Sequence, residues 1–105
     1  MKTVRRRYLA LTVDSDEVPI SNEFMDAVWA AVSRLYGEVG ASRAGLSLIS
    51  YDAERRLAVV RVAHVAVDMV RAALATITRI GMRAAAVRVL AVSGTIKALR
   101  HRING

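Results

Sequence analysis

Apolar positions change their period several times along the chain, and each change marks an element. Leu9, Leu11 and Val13 alternate with Tyr8, Ala10 and Thr12. That two-residue period predicts a strand over residues 5–13 with one buried face. Asp14-Ser15-Asp16-Glu17 reads as an acidic turn closed by Pro19. Phe24, Val28, Ala31, Val32 and Leu35 then recur at helical spacing, which predicts an amphipathic helix over residues 22–36. Ser21 is placed to cap it, Ile20 and Met25 to staple its entry, and Gly37 and Gly40 to end it.

Residues 45–51 form a second apolar run and residues 56–63 a third, separated by Asp52-Ala53-Glu54-Arg55, the pattern of a hairpin. A second helix is expected over residues 66–80, with Val70, Leu74 and Ile77 inward, Arg71 and Arg79 outward, and Gly81 as its stop. Residues 84–92 form a fourth strand. Ser93-Gly94-Thr95 breaks it, and Ile96 to Arg102 makes a short basic helix. The order strand, helix, strand, strand, helix, strand is a split βαβ pair. It gives a ferredoxin-like α+β sandwich, one antiparallel sheet with both main helices on one face and an additional C-terminal helix. The other face is open unless the terminal helix or a partner covers it. In the third strand Leu57, Val59, Arg61 and Ala63 share a face; in the fourth, Arg88, Leu90 and Val92 do. Either face therefore keeps apolar residues, and an open apolar patch suits a protein interface.

Composition narrows the chemistry. Residues 1–105 make one domain with no linker or internal repeat. No apolar run approaches the roughly 20 residues that span a bilayer. The basic start, Met1 to Arg7, is followed by too short an apolar run for a signal peptide, so a cytoplasmic location is expected and no membrane partner. With no cysteine, disulfides and thiolate metal sites are excluded. The net charge is +7, unevenly spread: residues 1–52 carry six basic and seven acidic groups, residues 53–105 ten basic and two acidic. Fourteen of the sixteen basic residues are arginine, whose planar fork matches phosphate bidentately. A chain polarised in this way attracts a polyanion.

The chemical inventory is thin. His64 and His101 are the only histidines; the first reads as a packed strand end, the second as part of a basic run that is either solvated or in contact with RNA. Asp14, Asp16 and Glu17 read as a solvated turn, and no catalytic or metal-binding set is expected. The loop Gly40 to Gly45 has the glycine spacing of a P-loop but leads into Leu46, without its lysine or hydroxyl residue. Two readings stand for Arg5-Arg6-Arg7: a solvated tail, or a track for a phosphate backbone. Tyr8 and Tyr51 could stack bases, but five aromatics in 105 residues is few, so backbone charge and shape are the expected target. Met25, Trp29 and Tyr36 read as core or partner interface.

The end of the last strand is the most specific feature. Ser93, Gly94 and Thr95 precede a helix whose free N–H groups and positive dipole end would lie beside Lys97, Arg100, His101 and Arg102, an arrangement suited to phosphate. With Arg5, Arg6, Arg7 and Arg71, these are the candidate RNA-binding residues.

Several short motifs together resemble one family. They are Arg6-Arg7-Tyr8-Leu9, Leu35-Tyr36-Gly37-Glu38, Tyr51-Asp52, Arg61-Val62-Ala63-His64, Val70-Arg71-Ala72-Ala73-Leu74-Ala75, and above all Val92-Ser93-Gly94-Thr95-Ile96-Lys97-Ala98-Leu99-Arg100. In order and spacing the chain is similar to the archaeal ribonuclease P protein component 2 family, shared in eukaryotes between RNase P and RNase MRP. The resemblance implies an α/β sandwich related to RNA recognition folds and a place in the ribonucleoprotein that removes 5′ leaders from precursor tRNA. It implies that the RNA, with Mg²⁺, carries the active site, and that this chain binds no cofactor. It also implies a TIM-barrel-like partner, component 3, and self-association of the pair into a heterotetramer. One departure is a short leader before the first strand. Beside this stand two other classes: an interaction module that does not bind RNA, and a small-molecule-binding module of ferredoxin-like fold.

Overall fold

The computed structural model describes residues 5–104. Five strands form one antiparallel sheet in the order β2-β3-β1-β5-β4. They are β1 (Arg6–Ser15), β2 (Ser47–Asp52), β3 (Leu57–Ala63), β4 (Arg79–Ile80) and β5 (Arg83–Ser93). The helices are α1 (Ser21–Arg43), α2 (Val67–Ala75, entered through a 3₁₀ turn at His64–Ala66) and α3 (Ile96–Asn104). Without two-residue β4, this is the expected βαββαβ arrangement followed by a helix.

The predicted periodicities hold where they matter. Leu9, Leu11 and Val13 turn toward α1 and α2, where they meet Phe24, Val28, Val32, Val70 and Leu74 in the main core. Ala58, Val60 and Val62 of β3 join the same side. Tyr51 reaches this layer from β2: its ring lies 5.4 Å from that of Phe24, and its hydroxyl donates to the Pro19 carbonyl.

The terminal helix adds a partial third layer. Leu99, fully buried, packs on Ala10 and Val59 on the opposite face of the sheet, with Tyr8, Ile49, Leu57, Ala91 and Ile103 around it. The face that an RNA or a partner would have found open is thus half filled by the chain itself.

Four expectations need correction. Residues 76–80 are not helix: α2 stops at Ala75, and Arg79–Ile80 pairs with the start of β5. Thr76-Ile77-Thr78 is β-branched and prefers extended backbone, and Gly81, at φ +63°, makes the turn back. Gly37 ends the first helical segment of α1, as expected, but Gly40 does not end the helix that follows it. Gly37 adopts φ 77°, ψ 171°, which breaks the helix direction, and the chain resumes helix to Arg43, carrying Ala41 and Ala44 into the core. Ser21 lies inside α1 and makes no cap; Ile20 holds that position, and at 64% exposure it staples nothing. Finally, β5 carries a bulge. Ala91 pairs with Ala10 and Val89 with Leu11, leaving Leu90 as the extra residue. The bulge shifts the alternation by one, so Val92 joins the main core while Arg88 remains exposed.

Candidate nucleic-acid interface

Sheet register brings three distant segments to one end of the molecule. Arg6 pairs with Ala63, Arg7 with Val62, and Tyr8 with both Arg61 and Ser93. The Arg5 carbonyl accepts the His64 N–H at 2.8 Å. The arginine triplet is therefore no solvated tail: Arg6 and Arg7 are strand residues, and Arg5 is held by the chain reversal at His64. The Arg7 guanidinium lies over Gly94, where a Cβ would come within 3.0 Å of its Nη1; the Arg6 guanidinium lies near Gly45. A Cβ at position 94 would need the tip of the Arg7 side chain to give way by a few tenths of an ångström.

The helix start is more occupied than the sequence implies. Thr95 is the cap: its Oγ1 accepts the Ala98 N–H at 3.1 Å and its carbonyl the Leu99 N–H at 3.1 Å. Ser93 Oγ accepts the Thr95 N–H at 3.4 Å. The N–H groups of Ile96 and Lys97, outside these bonds, remain at the positive end of the helix beside Arg7.

Along α3, Leu99 and Ile103 face the sheet, whereas Lys97, Arg100 and His101 are exposed. Arg102 differs from them, because its guanidinium donates to the Val92 carbonyl. Arg71 is exposed on α2, in the layer on the other side of the sheet, and is not brought together with the terminal helix. The candidate residues therefore divide into Arg5 to Arg7 with the helix start, the outer side of α3, and an isolated Arg71.

Three further arginines were not among the candidate RNA-binding residues. Arg61 sits beside Tyr8 in the sheet with a buried Nε that has no hydrogen-bond partner. Arg56, at φ 56°, donates to the Ser15 carbonyl and ties the β2–β3 turn to the end of β1. Arg55 stands exposed in that turn. The pairing of Tyr8 with position 61 depends on the β1–β3 register, which the β2–β3 hairpin does not fix; the other two depend on turn geometry. Among the described residues the ion pair found is Arg83 with Glu17, so the surplus positive charge stays largely uncompensated. Both tyrosines offered for stacking are half-buried and in contact with the chain itself. Tyr8 packs beside Leu99, and burial, with the Glu23 carboxylate second, holds the Tyr51 phenol above its ordinary pKa of 10.0. Trp29, Leu35, Tyr36 and Val39 of α1 are exposed. Among the described residues no group of three or more histidines, aspartates or glutamates is placed to hold a metal, and no helix is long and apolar enough to cross a membrane.

Sheet order, helix placement and charge define a small basic α+β protein of ferredoxin-like topology whose sheet is plugged by its own last helix. Residues 7–104 match the Rpp14/Pop5 family, and the chain belongs to it. Relatives named ribonuclease P protein component 2 span nearly all of it. That of Methanosarcina barkeri is 36% identical over 94 residues, covering 89% of this chain and 67% of its own. That of Pyrococcus abyssi is 33% identical over 98 residues, covering 93% and 83%. That of Halorubrum lacusprofundi is 33% identical over 105 residues, covering 96% and 66%. A chain in the cryo-EM structure of yeast ribonuclease MRP has the same fold, with a TM-score of 0.72 over 90% of this chain and 79% of that one at 22% identity.

Proposed function

We propose that this chain is a protein component of ribonuclease P that binds the RNA of the particle and supports its catalytic domain during removal of 5′ leaders from precursor tRNA. Membership of the Rpp14/Pop5 family carries the reading. The gathering of Arg5, Arg6, Arg7 and the α3 start at one end, where little acid offsets them, gives it a physical basis. In this reading the RNA holds the active site with its Mg²⁺, and the protein neutralises phosphates that would otherwise repel one another. It contacts them through arginine forks, Lys97 and backbone N–H groups, which position RNA without reading its sequence. Exposed Trp29, Leu35, Tyr36 and Val39 support protein contacts as well; the TIM-barrel-like component 3 and a second copy of this chain are the proposed partners, in the cytoplasm.

The test is reconstitution of pre-tRNA cleavage from the RNA and proteins with and without this chain, over a range of Mg²⁺. Its omission is expected to raise the Mg²⁺ required. Unchanged cleavage and Mg²⁺ dependence would overturn the proposal.

A further inference from the structure

Helix α3 runs from the arginine-rich end of the sheet, where Ser93 pairs with Tyr8, toward the β2–β3 hairpin at the other end. Its nine residues cover about 13 Å at the usual helical rise. At its far end a cleft of about 350 Å³ opens between the helix and the hairpin. Leu57, Val59 and Ile103 give it apolar walls, Arg55 and Arg100 supply guanidinium groups, and Ser50, Asp52 and Asn104 add a hydroxyl, a carboxylate and an amide. One Asp52 oxygen already accepts the Arg55 N–H at 3.2 Å, which fixes the turn that presents Arg55.

Size and chemistry decide between occupants. A lone inorganic anion would use the arginines and leave the apolar walls idle. A lipid tail would need a longer slot without the polar rim. The volume is at the small end of the range for small-ligand sites. Guanidinium planes both stack on bases and fork onto phosphates, and amide, hydroxyl and carboxylate groups suit the donors and acceptors of a base edge. Lys97, Arg100 and Asn104 occupy one side of α3, at spacings of three and four residues. A strand tracking that side would pass from the basic end straight to the cleft.

We propose that this cleft receives one splayed-out nucleotide of a single-stranded RNA segment, with Arg55 and Arg100 as its clamp; this rests on the RNA-binding reading above. The shared chemistry is a 5′-nucleotide, whether within RNA or free.

Two measurements on the full chain test it: amide NMR shifts on titration with 5′-AMP, 5′-UMP and inorganic phosphate, and anisotropy of a labelled single-stranded RNA octamer at several salt concentrations. The nucleotides are expected to shift Ser50, Leu57 and Asn104, while phosphate leaves Leu57 unmoved. Arg55→Ala should weaken octamer binding about tenfold, a loss of the size expected for a charge-assisted contact. Arg55→Lys should keep the salt dependence but lose the nucleotide shifts. Octamer binding that depends on salt without nucleotide shifts at the cleft would overturn the clamp and leave the RNA-binding reading standing. Absence of octamer binding even in low salt would sink both. Nucleotide shifts with octamer affinity unchanged in Arg55→Ala would reassign the cleft to a free nucleotide.

Discussion

The Arg102 guanidinium donates to the carbonyl of Val92, the residue at which β5 approaches its end, so helix α3 is latched to the strand that leads into it. Charge alone groups Arg102 with Lys97 and Arg100, yet its fork is already engaged by the backbone. Arg102→Ala is expected to lower stability by about 1 kcal/mol or less, the usual net worth of one such bond, with the salt slope of RNA binding unchanged. Thermal melts beside anisotropy at several salt concentrations check both halves. A flatter slope would show that Arg102 meets phosphate after all.

Lys97 and Arg100 should behave in the opposite way. Both are exposed on the free side of α3. The double change Lys97→Ala with Arg100→Ala should weaken binding to RNAs of unrelated sequence and flatten the log–log salt slope by roughly 1.5 units if two phosphates are lost. The far-UV spectrum and melting temperature should stay close to those of the parent.

Leu99 is the bolt of the third layer. Leu99→Ala removes a fully buried side chain that spans α3, β1 and β3, at a cost of about 2–5 kcal/mol. The loss should fall on α3 first, because the main core lies across the sheet and does not contain it. Hydrogen exchange in residues 96–104 should quicken well before exchange in α1 or α2. Uniform quickening throughout the chain would show the two cores to be one cooperative unit.

Tyr51 sets an alkaline limit. Its pKa is raised, first by burial and then by Glu23, so the fold favours the neutral phenol. The contribution to stability is complete below the unfolded pKa near 10.0 and is lost as pH climbs above it toward the folded value. Tyr51→Phe should remove this alkaline loss of stability. It should also cost about 1 kcal/mol at neutral pH through the bond to Pro19. Unfolding followed at neutral and alkaline pH separates the two effects; equal pH dependence in both proteins would refute the assignment.

Much of this was legible in the residues because the helices and central strands are governed by burial period. Phe24, Val28 and Val32 announced one helix, and Leu9, Leu11 and Val13 one strand, and all reach the core. What escaped depends on backbone geometry that period does not record. One extra residue at Leu90 turned Val92 to the other face, and helix resumed beyond the break at Gly37 as far as Arg43. The site followed the same division. Basic residues on α3 were visible as a run, while the places of Arg6 and Arg7 were set by pairing with β3 and that of Arg5 by the His64 N–H. The cleft could not be seen in advance, since Arg55 and Arg100 lie 45 positions apart and meet only because α3 folds back across the sheet.

That folding back has a consequence for how the molecule can discriminate. A bare four-stranded platform lets bases lie flat in a row and be compared with one another. Here Leu99 and Ile103 occupy the middle of that platform, so an RNA bound as proposed would meet a perimeter: an arginine-lined corner, a helical ridge and one niche at its far end. Such a surface measures the path of a strand and the spacing between two anchor points more readily than the order of its letters. In the proposed role it would suit recognition of a folded contour.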